Sequence, residues 1–476
     1  MTLLAKYGII YTYLLLVMGI SFGASKLLRS NEISRNIIHI CAGMGWIFYK
    51  VLFPATIHPV IISFSFVVLT LVTTKLKIKF VERENGSLGT VFFTLSMFVM
   101  SVLGYNNLPL FNIFGVAMIC LSCGDAFANI VGSRYGTKAI YMGKSIQGTV
   151  ACFVASASAM VMLKYSFGIG LSLVAICLLA TLCAGTELFA GEYDNIAIPA
   201  VLYVSAYIFL TNESVASLLI SSSVGVFMFL FAVKLKLLNL PASYMLFLLI
   251  FVLVYFGGWR SYIALMLVFA IVILTEKCLY RKTEQIFSSM NKEHGVRNER
   301  QLLANCLVAT IAVSLYGITE SKMYLLAFFA AIAEAIGDSV ASEIGVLSKA
   351  DPIDICSFKK VPKGVSGGVS IVGTGAALAV CLYSGLVYMA LYKGDFYGFI
   401  VILVSSLAGI ILDSVLGSRV QVQYKCTVCG KLTEKEIHCQ KPTDTVKGWE
   451  FLDNTRVNLI CNVFAFGLAC LLMTAR

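Results

Sequence analysis

The stretch that decides the fold runs from residue 113 to residue 132 and reads IFGVAMICLSCGDAFANIVG. An apolar run leads to the pair Gly124-Asp125, and small residues then recur every four positions. A near copy at residues 326–345 reads LAFFAAIAEAIGDSVASEIG. Both share the pattern Gly-Asp-x-x-Ala-x-x-x-Gly, which predicts two related halves, each with a helix that has one smooth face.

The composition places these helices in a membrane. The chain has 476 residues, of which 59 % are hydrophobic and 13 % are charged. Soluble proteins have about 25 % charged residues, so a soluble globular enzyme and a disordered chain are both excluded. A spanning helix needs about 20 mostly apolar residues. The apolar runs predict an all-α polytopic integral membrane protein with about 14 to 16 transmembrane helices in two sequence-related halves.

The net charge of +11 follows from basic loops, because Lys and Arg gather in the longer connections. Positive-inside bias predicts that these loops face the cytosol. They are residues 75–88, 134–146, 277–301, 348–365 and 419–455. We expect the endoplasmic reticulum membrane in a eukaryote and the plasma membrane in a prokaryote. No nucleic-acid recognition motif is present, and nothing indicates an oligomeric state.

Two acids, Asp125 and Asp338, follow apolar runs directly. A charged side chain in mid-bilayer costs about 2.5–3.5 kcal/mol, so such acids usually serve a function. Glu334 lies one helical turn before Asp338, and two acids on one face repel unless a cation or a base lies between them. For the glycines alone, the alternative is simple helix packing.

A lysine-containing loop rich in Gly, Ser and Thr follows each Gly-Asp motif. The first holds Lys144–Thr149 (KSIQGT), and the second holds Phe358–Ser370 (FKKVPKGVSGGVS). Backbone N–H groups at the start of a helix, together with a lysine, suit a phosphate. The first loop is not a Walker A motif, because Lys138 stands where glycine is needed. For the second loop, the alternative is a flexible turn with basic anchors.

Each half ends with further acids and an Asp-Asn pair. Glu187 and then Asp194-Asn195 close the first half, while Asp413 and then Asp453-Asn454 close the second. Oxygen ligands of this kind suit Mg²⁺. The alternative for either pair is an ordinary helix N-cap.

Residues 1–211 resemble the group of dolichol kinases, phytol kinases and CTP-dependent diacylglycerol kinases, which is related to phosphatidate cytidylyltransferases. The similarity lies in Arg35–His39 (RNIIH), Gly89, Gly124–Ala128 (GDAFA), Gly132–Gly136 (GSRYG), Lys144–Thr149, Glu187 and Asp194-Asn195. One departure is Gln147, where these kinases usually have glutamate. This difference removes one carboxylate from the loop.

Residues from about 214 to 476 resemble phytyl-phosphate kinases. The similarity lies in Arg300–Asn305 (RQLLAN), Gly337–Gly345, Val361–Ser370, Leu412–Gly417 (LDSVLG), Gln421 and Asp453–Asn458 (DNTRVN). The two resemblances imply a prenol kinase-like domain at residues 1–211 and a prenyl-phosphate kinase-like domain at residues 212–476.

The resemblances imply two successive reactions. The first half would phosphorylate a prenyl alcohol such as phytol, geranylgeraniol or farnesol, and the second would convert the monophosphate to the diphosphate. They also imply CTP or another nucleoside triphosphate as donor, with Mg²⁺. Two alternatives remain open: a cytidylyltransferase that makes a CDP-lipid, and a polytopic transporter of lipids or ions.

The motifs and the resemblances together assign site residues. The predicted catalytic carboxylates are Asp125, Glu187, Asp338, Glu343 and Asp413. The predicted nucleotide- and phosphate-binding residues are Arg134, Lys144, Ser145, Gly148, Lys360, Lys363, Gly364, Ser366 and Gly367. The predicted Mg²⁺ ligands are Asp125, Asp194, Asn195, Asp338, Asp453 and Asn454.

The polar loop 419–455 contains a possible zinc site. Cys426 and Cys429 form a Cys-x-x-Cys pair, and His438-Cys439 follows nearby. Three cysteines and one histidine can complete a tetrahedral structural Zn²⁺ site. Free thiols are the alternative.

Overall fold

The computed structural model describes residues 1–28, 31–75, 88–211, 215–289, 298–363, 365–430, 432–433 and 436–475. Within them the chain forms fifteen α-helices. Thirteen of these helices are long and apolar enough to cross a membrane, and a shorter apolar helix lies at Gly89–Leu103. The predicted class, an all-α polytopic membrane protein, is confirmed.

The helices divide between two compact units, Met1–Glu213 and Ser214–Arg476. The first unit contains α1 Leu3–Leu28, α2 Asn31–Leu52, α3 Ile57–Lys75, α4 Gly89–Leu103, α5 Leu108–Tyr135, α6 Ile146–Phe167, α7 Leu173–Ala190 and α8 Asp194–Thr211. The second contains α9 Val215–Lys234, α10 Leu240–Ser289, α11 Glu299–Thr319, α12 Lys322–Gly345, α13 Ile371–Tyr392, α14 Phe396–Arg419 and α15 Asn454–Thr474.

Within α10, the apolar runs of the sequence predict two separate spans at residues 242–257 and 260–277, and the structure agrees. The 50 residues of α10 form two helical segments that meet in a kink at Gly258, where φ is +66°. A left-handed φ of this kind is accessible mainly to glycine. The neighbouring Gly257 leaves no room for a side chain, since an added Cβ would lie 2.4 Å from Val313 Cγ2 on α11.

The two Gly-Asp motifs lie on the most buried helices of their units. In α5 and α12, 78 % and 72 % of the apolar span is buried inside the protein, whereas α1 has 11 % buried. Helix α5 packs against α2, α6 and α8, and α12 packs against α11, α13, α14 and α15. Lipid tails are as apolar as leucine, so close packing rather than hydrophobicity holds such a central helix.

A short hairpin follows each central helix and leads into the next span. In the first unit it pairs β1 Ala139–Tyr141 with β2 Lys144–Ser145, and in the second it pairs β3 Ile353–Asp354 with β4 Gly368–Val369. Both hairpins are antiparallel. The order of central helix, hairpin and three further spans therefore occurs in both units, as the repeat in the sequence predicts.

The close approach of the central helix to the next span is the same in both units. A Cβ on Gly148 of α6 would lie 2.9 Å from the Ala128 carbonyl oxygen, and one on Gly373 of α13 would lie 2.8 Å from that of Ala341. The small-residue stripe of each central helix therefore contacts a glycine of the next span, as the helix-packing alternative for the stripe predicts.

The loop between α14 and α15 forms a four-stranded ribbon in the order β6-β5-β8-β7. Its strands are β5 Gln423–Cys426, β6 Leu432–Thr433, β7 Ile437–His438 and β8 Lys441–Lys447. All pairings in it are antiparallel.

Candidate functional site

In the first unit, Asp125 faces a histidine from a neighbouring helix. His39 Nε2 on α2 lies 3.7 Å from Asp125 Oδ2 on α5, and each side chain is 15 % exposed. The Phe93 ring on α4 packs against the imidazole with centroids 4.6 Å apart. The polar imidazole of His39 reduces the free-energy cost of placing the Asp125 carboxylate in a largely apolar helix.

Beside this pair, Lys144 bonds to Glu187. Lys144 Nζ lies 2.7 Å from Glu187 Oε1 and also donates to the Glu187 backbone carbonyl. The hairpin supplies Lys144 and the end of α7 supplies Glu187, whose side chain is only 7 % exposed. The structure therefore joins two predicted site residues that are distant in sequence, as one ion pair.

Asp194 completes the polar cluster at the start of α8. It is buried, and it lies within electrostatic range of Asp125, Lys144 and His39. Asp194 Oδ1 accepts hydrogen bonds from the backbone N–H and from Nδ2 of Asn195, at 2.7 and 3.0 Å. Within the described residues, the buried Asn195 Oδ1 has no hydrogen-bond donor. Carboxylate and amide oxygens so arranged fit a divalent cation such as Mg²⁺.

Three other predicted residues of the first unit have local roles. Ser145 caps α6, accepting a hydrogen bond from the backbone N–H of Gly148 at 3.2 Å. Gly148 provides the close contact with α5. Arg134 is exposed at the end of α5, with its guanidinium 5.6 Å from the Tyr135 ring centroid.

The second unit gathers its acids between α12, α14 and α15. The Cys461 thiol of α15 lies within electrostatic range of Asp413, Glu334 and Asp338. Glu334 is buried, and its Oε2 accepts a hydrogen bond from Asn462 Nδ2 at 2.8 Å. The same amide donates to the Ala331 carbonyl at 2.9 Å. The structure thus brings Asp338 and Asp413 to one place and adds a third acid to them.

The described part of the loop between α12 and α13, residues 346–363 and 365–370, is folded rather than a flexible turn. Asp354 accepts hydrogen bonds from the backbone N–H groups of Cys356 and Ser357 at 3.2 and 2.7 Å. The Ser418 hydroxyl and the Ser357 N–H lower the pKa of Asp354 to about 2, so its carboxylate is charged at neutral pH. Gly367, with φ +86°, lies against Ser418, and an added Cβ would be 2.5 Å from the Ser418 backbone.

The predicted phosphate-binding residues of this loop differ in their surroundings. Lys363 Nζ donates to the Ser348 carbonyl at 2.5 Å, whereas Lys360 is exposed. Ser366 Oγ accepts a hydrogen bond from Gln421 Nε2 at 3.1 Å, and the same amide lies 3.4 Å from Asn454 Oδ1. Gly364 lies outside the described residues.

Asp453 has the role of a helix cap. Its Oδ1 accepts a hydrogen bond from the Arg456 backbone N–H at 2.8 Å, and its side chain is 45 % exposed. This is the alternative raised for the Asp-Asn pairs, and it distinguishes Asp453 from the buried Asp194. Glu343 is half-buried on the last turns of α12.

Sequence reasoning left Asn462 out, although it lies at the centre of the second cluster. The available signal is an asparagine that lies in the apolar part of α15, one turn after Asn458. A polar amide in a spanning helix needs a partner, and that rule could have marked it. The partner, Glu334, is too distant in sequence for any local pattern to show the pair.

In the ribbon, the ligand atoms of Cys426, Cys429, His438 and Cys439 lie within 4.8 Å of one another. The four residues come from the end of β5, from the turn after it and from the β7–β8 turn. The fold brings together all the residues of the predicted zinc site.

The spans and the buried polar clusters define a helical, multi-pass integral membrane protein with a polar site in each unit. The chain belongs to the DUF92 family of integral membrane proteins, whose family model matches residues 223–466.

The chain is similar to relatives in plants, archaea and cyanobacteria. Protein PGR of Arabidopsis thaliana is 34 % identical over 238 residues, which cover 44 % of this chain and 80 % of PGR. An uncharacterized membrane protein of Methanocaldococcus jannaschii is 29 % identical over 168 residues, or 35 % of this chain and 68 % of the relative. One from Synechocystis is 25 % identical over 167 residues, or 34 % and 64 %. No solved structure matches significantly.

Proposed function

We propose that the two units catalyse successive phosphoryl transfers. The first would convert a prenyl alcohol to its monophosphate, and the second would convert the monophosphate to the diphosphate, with CTP or another nucleoside triphosphate as donor. The observation that carries the proposal is the first polar cluster, which lies where the β1–β2 hairpin leads into the spanning helix α6. Its members are Asp125, Lys144, Glu187 and Asp194.

With a divalent cation bound to its carboxylates, this cluster would fit a phosphate by charge and position. Lys144 provides a cation that Glu187 holds in place, and the start of α6 provides backbone N–H groups. Such a helix start favours an anion, and phosphoryl transfer depends mainly on positioning and charge neutralisation.

Asp125, Asp194 and Asn195 Oδ1 are the groups that would hold Mg²⁺ in the first unit. When bound, the ion would neutralise charge on the phosphate oxygens. The Asn195 oxygen supports this assignment because it is buried and lacks a donor within the described residues.

The proton of the alcohol needs an acceptor close to the transferred group. Glu187 is a poor candidate because its Oε1 already accepts a hydrogen bond from Lys144 Nζ at 2.7 Å. We assign this step to His39, whose Nε2 lies 3.7 Å from Asp125 Oδ2 and so beside the proposed Mg²⁺ ligands. Glu187 then acts as a positioning residue for the Lys144 ammonium.

The second unit differs in ways that suit an acceptor that is already charged. Asp338 and Asp413 are the acids that would hold a cation there, near Cys461. Lys360 and Lys363 lie on the loop that follows α12, the helix that carries Asp338. A prenyl monophosphate carries negative charge, so its binding calls for more cations than an alcohol does.

Labelled nucleotide tests the reaction class directly. Purified protein in detergent would receive Mg²⁺, a prenyl alcohol, and CTP labelled at either the γ or the α phosphate. We expect γ label in both the mono- and the diphosphate. Transfer of α label would instead indicate a cytidylyltransferase, and absence of any labelled lipid would contradict both enzyme assignments and favour transport.

Single substitutions test the assignment of one step to each unit. Asp125→Asn should reduce the first step, and Asp338→Asn the second, each by about 100-fold or more, because a group that stabilises the transferred charge is lost. Asp395→Asn is the matched control, since Asp395 caps the far end of α14 and asparagine caps equally well. Equal loss of both steps in either variant, with normal thermal stability, would refute the two-site assignment.

A further inference from the structure

The ribbon between α14 and α15 carries a second cluster of reactive side chains that the proposed phosphoryl transfer does not use. Cys426 ends β5 and is buried, while Cys429 and Cys439 are exposed on the two turns. His438 ends β7, next to Cys439. The cluster therefore joins the β5–β6 half of the ribbon to the β7–β8 half.

The first turn has the geometry of a metal-binding knuckle. The backbone N–H groups of Val428 and Cys429 point at Cys426 Sγ, at 3.4 and 3.5 Å. Gly430 closes the turn with φ +69°, and its N–H donates to the Cys426 carbonyl at 3.0 Å. N–H groups directed at a sulfur stabilise its thiolate, which is the form that binds a metal.

The second turn presents the other two ligands at matching distances. Cys439 and Gln440 both have positive φ, +51° and +58°, so the chain reverses tightly between β7 and β8. His438 Nδ1 lies 3.6 Å from Cys429 Sγ and 3.3 Å from Cys439 Sγ. In a tetrahedral zinc site with ordinary Zn–S and Zn–N bonds, the S···N edge is about 3.5 Å.

We propose that Cys426, Cys429, His438 and Cys439 bind one structural Zn²⁺ ion that fastens the two halves of the ribbon together. Three thiolates and one imidazole form a closed tetrahedral set, which favours Zn²⁺ over the hard cations Mg²⁺ and Ca²⁺. The proposal is independent of the phosphoryl-transfer chemistry, because none of these residues lies in either acidic cluster.

The base of the ribbon contacts the glycine-rich loop and the ends of α14 and α15, so the rigidity of the ribbon affects their positions. Gln421, just before β5, contacts Ser366 of the glycine-rich loop and Asn454 at the start of α15. Lys447, at the end of β8, donates to the Gly417 carbonyl at 3.3 Å. A zinc ion in the ribbon would therefore stabilise the strands that connect α14, α15 and the glycine-rich loop.

Metal analysis of the purified full-length protein tests the proposal. Protein prepared under reducing conditions should contain about one zinc per chain, because these four ligands bind one ion. Exchange with Co²⁺ should give the visible bands of a tetrahedral ion and a thiolate charge-transfer band. Cys429→Ser should lose both the zinc and these bands, and the control Cys177→Ser, on α7, should keep them.

A second variant keeps the test valid if Cys429→Ser fails to fold. Cys429→His retains four ligands, so it should bind zinc while its Co²⁺ spectrum changes from three sulfur ligands to two. Three results would overturn the proposal: wild-type protein without metal, equal zinc in Cys429→Ser and wild type, or a disulfide between two of these cysteines in protein alkylated at lysis.

Discussion

Lys144 lies 2.7 Å from Glu187 Oε1, and the two side chains are 24 % and 7 % exposed. A second pair, Lys322 with Asp395, has the same 2.7 Å distance, but its side chains are 43 % and 45 % exposed. Removing one partner from a buried pair leaves an uncompensated charge, whereas an exposed pair contributes little. Because the two pairs have the same N–O distance and differ in burial, variants of them measure the effect of burial on the stability of an ion pair.

We expect Lys144→Met to lower stability by about 3 kcal/mol, because the Glu187 carboxylate is left buried without its cation. Lys322→Met should cost less than about 1 kcal/mol. The double variant Lys144→Met/Glu187→Gln should recover stability but not phosphate transfer. Thermal unfolding in detergent, with the labelled-CTP assay beside it, measures both. Recovery of transfer in the double variant would show that Lys144 has only a structural role.

Gly367 gives a second prediction at this scale. Alanine there must adopt a positive φ and place its Cβ 2.5 Å from the Ser418 backbone, so Gly367→Ala should cost more than about 2 kcal/mol. Gly375→Ala is the matched control on the nearby helix α13, where nothing lies within 4 Å and helix propensity favours alanine. Unfolding midpoints compare them, and equal midpoints would mean that the loop adapts freely.

Among the helices, α12 and α15 are joined by the Asn462 side chain, which bonds to Glu334 and to the Ala331 carbonyl. Interhelical hydrogen bonds of this kind contribute about 0.6 to 2 kcal/mol in membrane proteins. The bond also satisfies the buried Glu334 carboxyl group. Asn462 therefore links α12 to α15 and reduces the free-energy cost of burying Glu334.

Asn462→Ala should accordingly destabilise the protein by about 1–2 kcal/mol. Glu334→Gln keeps an oxygen that accepts from Asn462, and it should be nearly neutral for stability. Gly467→Ala, on the same helix with nothing within 4 Å, is the control. Thermal unfolding of the detergent-solubilised protein measures the stability of each variant. A neutral Asn462→Ala would show that packing alone holds α15.

The overall division into spans, two related halves and basic loops could be predicted from the sequence, because apolar length and repeated motifs are local properties. The details of each site could not. The Glu334–Asn462 bond depends on which faces two distant helices present. The same holds for Gln421, which reaches Ser366 and Asn454 only because the ribbon folds back. Hydropathy alone predicts a span over residues 36–54, whereas α2 begins at Asn31, because its first turns are polar.

For the molecule as a whole, the placement of charge predicts sidedness. The loop with Lys360 and the turn with Lys393 lie at opposite ends of the spanning helix α13. Positive-inside bias predicts that the Lys360 loop faces the cytosol. An epitope inserted after Lys360 should be accessible on the cytosolic side, and one after Lys393 on the other side. Antibody binding before and after full permeabilisation measures this, and the reversed result would contradict the orientation.

The contact of Gly148 with Ala128 and its counterpart between Gly373 and Ala341 have a consequence for where each unit tolerates change. The same tight helix junction occurs in both units, while the connections beside it differ in length and content. Residues can therefore be inserted into such a connection without altering the junction between the two helices. The connections are the variable part of each unit, and the helix junction is the constant part.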